Sequence, residues 1–136
     1  ISLVGIGQSE LEDYLQQECR KVNRYTTNDP SPEAGYYFRS DHFNFAKIGI
    51  PALYTHAGID HVEKGKAHGE QLSEEYRTNR YHKPADEYDP NRWDLNGSIE
   101  DLKLLFLVGR RLSLETTWPQ WKEGSEFKAI RESYRK

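Results

Sequence analysis

The chain contains no methionine and a single cysteine. That thiol, Cys19, excludes an internal disulfide, and without a CxxC partner it reads as a small buried apolar residue, not a reactive one. The missing methionine extends to the first position, Ile1, so the chain is expected to begin downstream of a translation start and to lack an upstream portion. Apolar side chains are scarce as well. Leu, Ile, Val and Phe make up 28 of the 136 residues, about 21%, close to the roughly 20% at which disorder sets in. A net charge of only -3 opposes disorder, because self-repulsion is weak and periodic segments are plain. Together these features suggest a globular piece short of packing surface. No charge sign dominates: 19 basic and 22 acidic residues are interspersed without a basic stripe, which argues against nucleic acid as a partner. No apolar run approaches the roughly 20 residues of a membrane span, and no signal-peptide pattern opens the chain. HExxH, paired CxxC and glycine-rich phosphate motifs are also missing, so any metal site must draw on residues outside this chain.

What is present reads as alternating strand and helix. Residues 1–6 suggest a short strand closed by Gly5 and Gly7, and Ser9 with Glu12 suggests a capping box opening a helix. Leu11, Leu15, Glu18 or Cys19, and Val22 recur at helical spacing, which predicts one apolar stripe laid on a sheet. Residues 23–35, with Pro30 and Pro32, predict an extended loop. A short helix through Phe43, Ala46 and Lys47 should end at Gly49 in the left-handed conformation, and residues 50–55 should form a buried strand. Residues 57–80 read as a long surface excursion with a helix around 69–79. From Ser98 on, a face of Leu102, Leu105, Phe106, Gly109 and Leu112, broadened by Leu104, Leu107 and Val108, predicts the best-buried helix of the chain. Two units are expected: residues 1–114 as the body and 115–136 as a tail, in which Trp118 and Trp121 cover an apolar edge.

The chemistry concentrates in two runs. In Tyr81-His82-Lys83-Pro84-Ala85-Asp86, the imidazole of His82 is a candidate metal ligand. Asp86 could accept the second ring N–H and fix the tautomer that leaves the other nitrogen free. Tyr81 could donate to an oxyanion formed nearby. A catalytic zinc normally takes three protein ligands and an open position, and only one is visible. In Arg39-Ser40-Asp41-His42 the residues are adjacent on one turn, so they cannot align as nucleophile, base and orienter, and a serine hydrolase is rejected. Ser40 and Asp41 read instead as helix caps, with Arg39 pointing into a cleft where it could position a carboxylate. His56 and His61, with Asp60 and Glu63, give only a weak metal signal.

The set GYYFRSDHFNFAKIGIPALY (residues 35–54), YHKPADEYD (81–89) and DLNGSIEDLKLLFLVGRRL (94–112) resembles the C-terminal part of the co-catalytic dizinc aminopeptidases, zinc exopeptidases of the Streptomyces and Vibrio leucyl aminopeptidase type. The resemblance covers about residues 1–114. It implies part of a three-layer α/β/α sandwich of the phosphorylase/hydrolase-like kind, a peptide substrate, and secretion or a periplasmic location. It also implies two zinc ions in the intact parent and little or none in this segment. By the same resemblance His82 matches the last zinc ligand, Tyr81 matches the residue that polarises the scissile carbonyl, and Arg39, Ser40 and Asp41 match the loop and helix beside the substrate. The remaining ligands and the glutamate base would belong to a missing N-terminal half, leaving the isolated segment inactive. Two alternatives stand beside this reading: a non-catalytic interaction module, and a glutaminyl cyclase of the same fold.

Overall fold

A computed structural model describes residues 1–134. The last two positions of the expected tail, Arg135 and Lys136, lie outside the described residues. The sheet is small and mixed. Its strands β1 (Ser2–Leu3), β2 (Thr27–Asn28) and β3 (Thr55–His56) lie in the order β2-β1-β3, with β2 parallel and β3 antiparallel to β1. Pairing Ser2 with both Thr27 and His56 sets the register, and the buried Ser2 hydroxyl meets that of Thr27 at 3.0 Å. The helices are α1 (Leu11–Lys21), α2 (His42–Ala46), α3 (Gly65–Asn79), α4 (Asn96–Leu114) and α5 (Lys128–Ser133). The chain is therefore α/β, as expected, and no described helix is long and apolar enough to cross a membrane.

Alternation along β1 feeds two cores. Ile1 and Leu3 join Leu15 and Cys19 of α1 and Leu104 and Val108 of α4, whereas Val4 joins Tyr37, Ala46, Trp121 and Phe127. Helix α1 forms where Leu11, Leu15 and Cys19 fall on one stripe, and all three are buried. Each fully buried leucine contributes about 1.5–3 kcal/mol. Arg20 and Lys21 in its last turn suit the negative end of the helix dipole. Cys19 is a free, buried thiol whose pKa is pushed up by burial, which matches the inert reading.

Several expectations need correction. The predicted strand over residues 1–6 shrinks to Ser2–Leu3, and that over 50–55 yields only Thr55–His56; just before it, Val4 N–H still donates to the Tyr54 carbonyl at 3.0 Å, while residues 50–53 are partly exposed and outside the sheet. The predicted loop 23–35 contains β2, since Thr27 and Asp29 donate backbone hydrogen bonds to Ile1 and Leu3 at 3.0 Å each. Val22 leaves the apolar stripe and is half exposed. Helix α4 is not the best-buried helix, and only part of the predicted face is covered: Leu112 and two of the residues expected to broaden it, Leu104 and Val108, pack on the core. Leu104 and Val108 pack on α1, while Leu102 and Phe106 on the opposite side are 64% and 68% exposed. An all-round apolar sequence cannot tell which side meets a neighbour. Gly49 does take the left-handed conformation, with φ 78°.

Beyond residue 114, Trp121 and Phe127 join the second core and Ile130 packs against it. Trp121 is buried and donates its indole N–H to the Gly49 carbonyl at 2.9 Å, so it covers an apolar edge as expected. Trp118 does not; its ring stays mostly exposed, with only the Arg131 guanidinium 5.5 Å from its centroid.

Candidate functional site

Helix α3 delivers the Tyr81-His82 pair. At its end the N–H groups of Arg80 and Tyr81 both donate to the Tyr76 carbonyl at 2.9 Å. The chain then reverses at His82, whose φ of 58° lies in the left-handed region. A non-glycine residue there stores strain, and such positions cluster at functional sites. The turn closes through Lys83 N–H to the Arg80 carbonyl at 2.8 Å and Asp86 N–H to the Lys83 carbonyl at 2.9 Å. The result is an exposed pair: the Tyr81 and His82 rings stack with centroids 4.0 Å apart. Among the described residues His82 makes no hydrogen bond, so both ring nitrogens are open to an external partner.

The second-ring partner expected for His82 is engaged elsewhere. Asp86 accepts the hydroxyl of Tyr76 at 3.0 and 3.1 Å to its two oxygens. Sequence reasoning missed Tyr76, which ties the last turn of α3 to the loop that follows; the one available signal was its place one helical turn before the helix end. Burial and the Asp86 carboxylate raise the Tyr76 pKa, so its proton stays on the phenol and the bond persists. Arg80 forms an ion pair with Glu75 and lies 5.6 Å from the Tyr76 ring centroid, stiffening the same turn.

The second run sits apart. Tyr36–Arg39 forms a 3-10 turn leading into α2. Arg39 is exposed and reaches only the Ala34 carbonyl, at 3.4 Å, which leaves its guanidinium free for a carboxylate. The expected caps do not form: Ser40 is extended, Asp41 is already helical at φ -61°, and neither side chain bonds the helix start. A five-residue helix is short enough to open from backbone turns alone. No hydrogen bond, ion pair or ring contact joins residues 39–41 to Tyr81, His82 or Asp86 among the described residues. His42, the next residue, turns inward between Tyr37 (4.6 Å) and Tyr54 (4.8 Å).

Of the other histidines, His56 and His61 are occupied, while His68 meets the His61 ring at 5.1 Å. His56 shares a 2.6 Å hydrogen bond with Tyr54, and Asp60 takes the hydroxyl of Tyr25. His61 Nδ1 accepts the N–H groups of Glu63 and Lys64 at 3.2 Å, so its ring lone pair serves the entry to α3. Among the described residues no group of three or more His, Cys, Asp or Glu is placed to hold a metal ion. These residues therefore do not build a zinc centre by themselves, since His82 is one ligand where about three are needed.

The sequence model described as Peptidase family M28 matches residues 3–107, a span that includes Leu3 of β1, both chemical runs and most of α4. The chain belongs to Peptidase family M28. Neither a curated protein nor a solved structure matches it. Membership in M28, whose members include zinc metallopeptidases, supports a peptidase-type hydrolase function. It also gives the exposed Tyr81-His82 turn a chemical context that its geometry alone does not supply.

Proposed function

We propose that this chain is the His82-bearing, C-terminal portion of a secreted or periplasmic zinc aminopeptidase of the leucyl type, built on a three-layer α/β/α sandwich, which removes N-terminal residues from peptides. The observation that carries the reading is the strained turn that holds an unbonded imidazole against a phenol at the surface. His82 binds one of two zinc ions. The other ligands and the general base come from an N-terminal half outside this chain, and the segment alone is inactive. Tyr81 donates its hydroxyl proton in a hydrogen bond to the scissile carbonyl oxygen as negative charge gathers there. Arg39 pairs with a carboxylate of the peptide or of a neighbouring loop, with Ser40 and Asp41 lining the same edge. Asp86 supports the turn through Tyr76.

Kinetics and metal content of the complete peptidase separate these roles. Tyr81→Phe lowers kcat by roughly 10²–10³, the usual cost of one oxyanion donor, and leaves KM and metal content alone. His82→Ala lowers metal content and rate together. Equal metal loss in both variants would defeat the assignment. A second reading, a non-catalytic interaction module, is favoured by the exposed Leu102 and Phe106 on α4; the absence of any peptidase activity from the complete protein with zinc supplied would select it.

A further inference from the structure

The family match ends at residue 107, yet the segment beyond α4 contributes two of the five buried residues in the second core, Trp121 and Phe127. It crosses the start of α1 as a strap. Glu10 N–H donates to the Gln120 carbonyl at 3.0 Å and Lys122 N–H to the Gln8 carbonyl at 2.8 Å. The Lys122 ammonium meets Asp13 at 2.7 Å and Glu12 at 3.5 Å. Glu12 in turn is buried and gathers the N–H groups of Gly7, Gln8 and Ser9 at 2.7, 2.7 and 3.1 Å. One carboxylate thus organises the turn after β1 and anchors the strap on it.

From that anchor the strap reaches the segment that carries Arg39, Ser40 and Asp41 on both its flanks. Phe127 stacks on Tyr37 at 6.1 Å and 29° and meets Phe43 edge-on at 6.1 Å. Trp121 packs on Phe127 at 5.0 Å and fixes the Gly49 carbonyl. On the opposite side Tyr37 presses against Gly5, where an added Cβ would lie 2.1 Å from the ring. The 3-10 turn and α2 are short and hold together through their own rings, Tyr37 on His42 and Phe43 and Phe38 on Phe43, so it is the placement of this unit on the rest of the chain that the clamp helps to fix.

We infer that residues 118–127 form a clasp, and that Trp121 and Phe127 are positioning residues for the Arg39–Asp41 edge; the catalytic consequence rests on the reading of that edge as the substrate side. Hydrogen exchange on the full chain tests the clasp without any activity. Trp121→Phe keeps an aromatic filler but deletes the bond to Gly49, and should speed exchange of the Lys47, Ile48, Gly49 and Ile50 amides by about tenfold, the factor carried by one hydrogen bond. The amides of Leu15, Cys19, Leu104 and Val108 should not change. Phe127→Leu should act in the same local way. Uniform acceleration across all these amides, or none, overturns the clasp. In the complete peptidase the same variants should raise KM for peptides about tenfold and spare kcat. A fall in kcat with KM unmoved overturns the positioning role. Local acceleration with both constants unmoved upholds the clasp and sinks the assignment of Arg39–Asp41 to substrate.

Discussion

At His42 both ring nitrogens are buried with no hydrogen-bond partner, and so is the hydroxyl of Tyr37 beside it. Unpaired buried polar atoms cost stability. Burial holds the His42 pKa below its ordinary 6.5. As pH falls below 6.5 the unfolded chain takes up this proton before the folded chain does, so stability should decline until the lowered pKa is passed and stay flat above 6.5. Urea unfolding at about pH 5.5 and about pH 7.5 should show this slope. His42→Phe should remove it and raise stability by about 1 kcal/mol; an unchanged slope would mean that another group is responsible. Tyr37 behaves in the opposite sense. Burial pushes its phenol up to about 12 from 10, so the unfolded chain ionises first and stability should fall as pH rises from 10 towards 12. Tyr37→Phe should flatten that fall in alkaline unfolding curves.

Helix α4 shows how one element can be read correctly and faced wrongly. Its existence was legible from a run of Leu, Phe and Val starting near Ser98, and the helix spans Asn96–Leu114. Its burial was not legible, because apolar residues surround the axis and periodicity then has no preferred direction. Only its contact with α1 selects Leu104 and Val108. Leu104→Ala should therefore cost about 2–5 kcal/mol through the cavity it leaves. Phe106→Ser, in the exposed stripe, should stay within about 0.5 kcal/mol of the parent. Thermal melts of the two variants decide this, and equal losses would show that the stripe is covered in solution. Helix α3 was legible from residue 69 onward, but its first turn was not: it opens without a side-chain cap, after a turn in which His61 Nδ1 accepts the Glu63 and Lys64 N–H groups, and neither feature carries a helix-start signature.

On the scale of the whole molecule, no hydrogen bond, ion pair or ring contact among the described residues joins the Tyr81-His82 turn to the Arg39–Asp41 edge, and no described group of three or more His, Cys, Asp or Glu could hold a metal ion. Equilibrium dialysis of the full chain should recover well under one tightly bound zinc; stoichiometric zinc abolished by His82→Ala would show that this chain supplies the other ligands itself. By itself, the sequence determined the α/β character, the helices α1 to α4 though not α5 in the charged tail, and the chemical identity of Tyr81 and His82, because helix periodicity and side-chain chemistry are local properties. The tertiary structure alone decided that Asp86 serves Tyr76 and not His82, that α4 turns Leu104 inward, and that a strap beyond the family match closes over α2. Each of these is a choice between partners distant in the chain or equivalent in type, and only packing distinguishes them.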